Sequence, residues 1–130
     1  LIRRICDKIR KNANKIVKFE ARYTEDAEVL ILAYGTPART ALSAVKELRN
    51  QGVKAGFLRL VTVWPLSEKL IKNIIKNVKE IVIPEINYGQ LYFEIERVAA
   101  KEGVNVHLVP QASKIHEPKE IIDKVKEVYK

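Results

Sequence analysis

The sequence predicts an α/β domain: a mostly parallel sheet with helices on both faces. Three observations lead there. Short apolar runs alternate with segments of helical period, the run Val29–Tyr34 is apolar without a break, and Gly or Pro marks most of the junctions. A strand that is apolar on both faces belongs inside a parallel sheet covered on both sides. The chain has 130 residues, enough for one such domain. Each crossover connection should be right-handed.

The elements follow in order. Leu1–Ile16 reads as a helix, with Ile2, Ile5, Ile9, Ala13 and Ile16 on one face and Arg3, Arg4, Lys8, Arg10, Lys11 and Lys15 on the other. Ile16–Tyr23 alternates, with Val17, Phe19, Ala21 and Tyr23 on one side and Lys18, Glu20 and Arg22 on the other, as in a half-buried edge strand. Val29–Tyr34 is the buried strand, and Gly35-Thr36-Pro37 ends it. Thr36 is placed to cap a helix over Ala38–Asn50, Pro37 suits its first turn, and Gln51-Gly52 stops it. Val53–Thr62 is the next strand. Trp64-Pro65-Leu66 breaks it, and Ser67 caps a helix carrying Leu70, Ile71, Ile74 and Ile75. Glu80–Ile83 is a short strand, and Pro84–Gly89 a loop. Gln90–Lys101 is a helix and Val104–Val109 the last strand. Pro110–Glu117 is a loop, and Pro118 opens a helix packed by Ile121, Ile122, Val125 and Val128.

Composition excludes several classes. An apolar content of 47% excludes a disordered tail. The single cysteine, Cys6, excludes an internal disulfide and a thiolate zinc site. Apolar runs fall far short of the ~20 residues of a membrane span, so no membrane partner is expected. With no secretory signal, the expected location is cytoplasmic. The chain has no methionine and opens with Leu1, which reads as a piece of a longer polypeptide. Charged residues make up 31%, rich in Lys and Glu, a pattern of proteins from hot environments. The net charge is +8, but Lys and Glu are interleaved, as in Lys46-Glu47, Glu68-Lys69 and Lys126-Glu127. That is a salt-bridged surface more than a phosphate-binding stripe, so nucleic acid is not the expected partner.

Enzymatic signatures are missing. There is no GxGxxG, no GxxxxGK[ST] and no GxSxG. His107 falls within a strand and reads as structural or edge-exposed, and His116 in its loop reads as solvated. Cys6 has no resolving cysteine. The informative residues sit in the loops after the strands, where parallel sheets bind ligands and partners. Tyr34, Gly35, Thr36, Trp64, Pro65, Glu85, Asn87, Tyr88, Gly89 and Gln90 gather there. They include the one Trp and two of the five Tyr, residue types enriched at interfaces.

Two strings carry a resemblance. Arg59-Leu60-Val61-Thr62-Val63-Trp64-Pro65-Leu66 resembles the L-x-x-(L/V)-W/F-P-(F/L)-P segment of 2-oxoacid:ferredoxin oxidoreductase α subunits. Ile81-Val82-Ile83-Pro84-Glu85-Ile86-Asn87-Tyr88-Gly89-Gln90-Leu91 resembles their V-x-V-x-E-x-N-x-x-G-Q-L segment, and Tyr34-Gly35-Thr36 their (Y/W)-G-(S/T) turn. The 2-oxoglutarate type matches best, while pyruvate and branched-chain enzymes share the pattern. Lys114–Ile121 departs from it, lacking a glycine and a proline.

The resemblance implies a fold of transketolase C-terminal-domain type. This is a three-layer α/β/α sandwich with five strands in order 1-3-2-4-5 and strand 1 antiparallel. It divides the chain into a linker helix at 1–15, from a missing upstream domain, and the domain at 16–130. That order puts the topological switch point between strands 2 and 4, so the Tyr34 and Glu85 loops should touch. The implied function is that of a non-catalytic organising domain. The complete enzyme converts a 2-oxoacid and coenzyme A to acyl-CoA and carbon dioxide with ferredoxin reduction. Thiamine diphosphate, magnesium and an iron–sulfur cluster would be held elsewhere, with none of them, and no metal, bound by this piece. The implied partners are the upstream domain of the α chain, the β subunit and further subunits. The ten loop residues are the expected contacts, and no residue is assigned a catalytic role. The alternative is a stand-alone flavodoxin-like module for a nucleotide or phosphate ligand, with anion sites at the Gly35 and Gly89 loops.

Overall fold

The unbroken apolar run becomes the central strand. The structure, a computed structural model, describes residues 2–11, 17–86, 89–111 and 114–129. Its elements are α1 (Ile2–Lys11), β1 (Phe19–Arg22), β2 (Val29–Tyr34), α2 (Pro37–Asn50) and β3 (Ala55–Leu60). There follow α3 (Glu68–Ile74), β4 (Glu80–Glu85), α4 (Gln90–Ala100), β5 (Asn105–Pro110) and α5 (Pro118–Val128). The sheet order is β1-β3-β2-β4-β5, with β1 antiparallel to β3 and the other pairs parallel. The fold class, strand order and antiparallel edge agree with the sequence expectation.

Alternation along β2 divides the interior into two cores. Leu30 and Leu32 face Leu58, Ile81 and Ile83, covered by Ile71 of α3 and Ile95 of α4. Val29, Ile31 and Ala33 face Phe57 and Val82, covered by Ala41 and Val45 of α2 and Ile121 and Val125 of α5. Small residues on α2 (Ala38, Ala41 and Ala44, all buried) suit close packing on the sheet. Two layers of helix thus sandwich one sheet.

Some local expectations change. Thr36 makes no side-chain cap; its backbone is already helical (φ −57°, ψ −41°), and Ala38 N–H bonds the Gly35 carbonyl at 3.2 Å. Ser67 does cap, because its backbone is extended: Leu70 N–H donates to its Oγ at 3.2 Å. β1 is shorter than predicted: it ends at Arg22, Tyr23 beyond it has φ +58°, and Phe19 and Tyr23 are each 46% exposed. As the sheet edge it pairs on one side only, with β3. β4 runs two residues beyond Ile83, through Pro84 to Glu85. Pro84 is tolerated because the β2–β4 pairing ends at Ile31↔Val82, leaving no ladder bond on that side for its missing N–H. The first helix is described over Ile2–Lys11, while Leu1 and residues 12–16 of the prediction lie outside the described residues. Ile2 and Ile5 on it are exposed.

One arginine ties the β1–β2 turn to the sheet. Arg49, in the last turn of α2, donates from Nε to the Ala55 carbonyl at 2.8 Å and from Nη2 to the Tyr23 carbonyl at 2.8 Å. Its Nη1 and Nη2 form a fork on Asp26, at 3.0 and 2.7 Å, and its guanidinium lies over the Tyr23 ring. Gly56 is required beneath this turn: a Cβ there would stand 2.7 Å from Ala27 Cβ and 3.1 Å from the Tyr23 carbonyl.

Two predictions follow from this clamp. Gly56→Ala should destabilise the chain by about 1–3 kcal/mol through overpacking, read by urea denaturation. The Arg49 hydrogen bond holds the Asp26 carboxyl below its ordinary value. A depressed carboxyl contributes stability above its unfolded pKa, and that contribution is lost as pH falls through the folded value. Arg49→Ala should therefore lower stability at neutral pH, and the gap to wild type should narrow below about pH 4 in a pH series of melting temperatures.

Candidate functional site

The site forms where the sheet splays. β2 and β4 pair from Val29↔Glu80 to Ile31↔Val82, whereas β4 stays with β5 to Glu85↔Pro110. Beyond Val82 the carboxyl ends of β2 and β4 part, which is the switch-point crevice of a doubly wound sheet. Glu85 stands in it and is fully buried. Its Oε1 accepts from Leu91 N–H at 2.7 Å and from the Tyr34 hydroxyl at 3.2 Å. Its Oε2 accepts from Tyr92 N–H at 3.3 Å. Glu85 therefore caps the first turn of α4 from outside the helix. A negative charge there also meets the positive end of the helix dipole. Gly89 precedes the helix at φ +95°, a conformation that favours glycine, and a Cβ would press Leu108 at 3.3 Å.

Beside this capped turn lies an open groove of about 380 Å³, lined by Tyr34, Val63, Trp64, Leu66, Gln90, Leu91 and Glu94. Trp64 is 62% exposed. The Trp64–Pro65 peptide bond is cis, and Pro65 is buried. Gly35 and Thr36 turn away to line a second cleft, with Arg39 and Arg59. The structure thus joins Tyr34 to Glu85 as the strand order implied, gathers Trp64 and Gln90 with Tyr34, and separates Gly35 and Thr36 from them. Asn87 and Tyr88 lie outside the described residues.

The remaining chemistry-bearing side chains act locally. His107 Nε2 lies 2.7 Å from Glu80 Oε2, an ion-pair geometry across the β4–β5 pair. His116 is not solvated: it is buried, with Nε2 2.5 Å from the Val109 carbonyl. That carbonyl accepts from Nε2, and the buried Nδ1 has no partner among the described residues. Sequence reasoning missed this because the loop that buries His116 has no periodicity to read. The loop is held to α5 by Gln111, whose side chain donates to Glu120 at 2.5 Å and holds that carboxyl below its ordinary value. Across the opposite layer Arg97 of α4 reaches Glu68 of α3 at 2.7 Å and lowers the Glu68 carboxyl in the same way. Among the described residues no group of three or more His, Cys, Asp and Glu is placed to hold a metal. No described helix is long and apolar enough to cross a membrane.

The Glu85 constellation is open to a direct test. Glu85→Ala strands the Leu91 and Tyr92 N–H groups at the start of α4, and should cost about 2–3 kcal/mol by chemical denaturation. Tyr34→Phe removes one donor of three and should cost about 1 kcal/mol.

Comparison with known proteins places this architecture. Residues 27–127 match the family model described as pyruvate:ferredoxin oxidoreductase core domain II. The 2-oxoglutarate synthase subunit KorA of Methanocaldococcus jannaschii is 40% identical over 121 residues, covering 93% of this chain and 32% of that protein. The subunit of the same name from Methanothermobacter marburgensis is 36% identical over 126 residues, covering 96% and 33%. The chain thus spans about a third of the length of these relatives. Among solved structures, 2-oxoglutarate:ferredoxin oxidoreductase from Magnetococcus marinus, with 2-oxoglutarate, coenzyme A and succinyl-CoA bound, matches with a TM-score of 0.76. Its identity is 22%, and the match covers 90% of this chain and 21% of that one. A split gene transketolase matches with a TM-score of 0.69 at 19% identity, covering 83% of this chain and 40% of that one. At such identities these two likenesses show the fold alone. The family match covers most of the chain, and with it the chain belongs to the family of pyruvate:ferredoxin oxidoreductase core domain II.

Proposed function

We propose that the chain is the organising domain of the α subunit of a 2-oxoacid:ferredoxin oxidoreductase of the 2-oxoglutarate type. The observation that carries this is the identity of 36–40% to 2-oxoglutarate synthase subunits over nearly the whole chain. In the complete enzyme the bond between the carboxyl and keto carbons of the 2-oxoacid breaks and carbon dioxide leaves. The acyl carbon becomes a thioester of coenzyme A, and the electrons pass to ferredoxin. Thiamine diphosphate with magnesium would stabilise the carbanion left by decarboxylation, and an iron–sulfur cluster would carry the electrons. The residues of this chain do not fit a cluster, because Cys6 is its one cysteine and a cluster needs several thiolates. We place these cofactors in other parts of the α chain and in the β subunit.

The role of the chain is then positional. Trp64 and the groove beside it present apolar and aromatic surface at the carboxyl edge of the sheet, the form of an interface anchor. We assign Tyr34, Gly35, Thr36, Trp64, Pro65, Glu85, Asn87, Tyr88, Gly89 and Gln90 to contact with the preceding domain and the β subunit. Glu85, Tyr34 and Gly89 act by fixing the edge, and Trp64 and Gln90 by touching the neighbour. Residues 1–15 join the domain at 16–130 to what precedes it. The flavodoxin-like alternative is disfavoured by Glu85, whose carboxylate already fills the anion position at the start of α4.

The test uses the full α chain co-expressed with its β partner. Viologen reduction should require 2-oxoglutarate, coenzyme A and thiamine diphosphate together. Trp64→Glu changes an exposed side chain and should leave folding intact, while the α–β complex dissociates on gel filtration and activity is lost. Normal assembly and activity in that variant would remove Trp64 from the interface. No reduction with any 2-oxoacid from a well-folded complex would overturn the enzyme assignment.

A further inference from the structure

We propose that the cleft between β1, β3 and the first turns of α2 binds a phosphate-bearing small molecule through Arg22, Arg39 and Arg59. It lies on the β3 side of β2, away from the crevice that Glu85 fills. Its volume is about 560 Å³, within the range of small-molecule sites. The buried Phe57 ring, with Leu42 and Ile115, gives it an apolar wall.

Strand register builds its polar side. Glu20 pairs with Arg59 and Arg22 with Phe57 across β1 and β3, so period two sets these side chains on one face. Arg22 Nε lies 2.9 Å from Glu20 Oε1, and Arg59 Nη1 lies 3.8 Å from Glu20 Oε2. Two guanidiniums thus converge on one carboxylate, which marks where an anion sits between them. Arg39 makes no ion pair with the described residues, and the first turn of α2 has no acidic residue. Three guanidinium charges therefore face one carboxylate, leaving a surplus of two positive charges. One arginine fork satisfies the two oxygens of a carboxylate, whereas a phosphate offers three oxygens and more charge to several forks. The geometry therefore favours phosphate over an acidic peptide. Glu20 is the internal competitor for the two arginines it bridges.

The test titrates the intact polypeptide that carries this chain with inorganic pyrophosphate by calorimetry, and in parallel with a glutamate-rich peptide. Saturable pyrophosphate binding is expected. It should weaken about tenfold in Arg39→Ala and in Arg59→Ala, each of which removes charged hydrogen bonds to the ligand. It should tighten several-fold in Glu20→Gln, which frees Arg22 and Arg59 from their carboxylate. Arg39 is exposed and without an ion pair among the described residues, so Arg39→Ala should melt like wild type without ligand and keeps the test valid if Arg59→Ala does not fold. Absence of saturable binding, or binding unchanged in Arg39→Ala, overturns the proposal. Binding of the peptide in place of pyrophosphate also overturns it and makes the cleft a docking surface for an acidic protein segment.

Discussion

The arrangement of the carboxyl edge depends on one buried carboxylate. Glu85 has no exposed surface and meets three donors, from Leu91, Tyr92 and Tyr34. A buried charge without partners would cost several kcal/mol, so these donors are a condition of its being there. In return Glu85 sets the start of α4, closes the gap where β2 and β4 diverge, and fixes the position of the Tyr34 ring. The local peculiarities nearby serve the same end. Pro84 sits where the ladder has already ended, and Gly89 supplies the left-handed turn that aims two N–H groups at the carboxylate.

That arrangement bears on the switch point, where folds of this kind often bind ligands. The helix start that would hold an anionic ligand is occupied by a side chain of the chain itself. What remains on this edge divides into two surfaces of different character. On the β4 side the groove of Trp64, Leu66 and Leu91 carries a single charge, the Glu94 carboxylate. On the β3 side the cleft of Arg39 and Arg59 is cationic. Tyr34, bonded to Glu85, lines the first, and Gly35 and Thr36 after it line the second.

The sequence revealed the repeating elements well because each relies on a local signal. An unbroken apolar run, a Pro at a helix start, Ser67 before a helix and a Gly after one are each legible without tertiary context. The strand order is different in kind. It came from the resemblance carried by Trp64-Pro65 and by the segment around Glu85, since no local pattern encodes which strand lies beside which. The errors have the same origin. Whether Thr36 caps depends on a backbone angle, and whether His116 is solvated depends on how its loop folds against Val109. Period two put Phe19 and Tyr23 on one face of a strand, but nothing in the alternation could say that β1 would stop at Arg22 and that Tyr23 would turn into a left-handed conformation beyond it.

The basic charge also takes on meaning only in three dimensions. With 24 basic and 16 acidic side chains, carboxylates are the scarce partner on this surface. Where structure must be held, the supply is adequate: Arg49 has Asp26, and Arg97 has both Glu68 and Glu94. At the β1 edge it runs short, and one glutamate is shared by two arginines while Arg39 has none among the described residues. Residues 22, 39 and 59 are too far apart in the chain to register as a motif, and each taken singly reads as an ordinary exposed arginine. An excess of charge spread evenly would serve solubility alone. An excess gathered around one concave wall costs mutual repulsion, which an anion bound there would relieve.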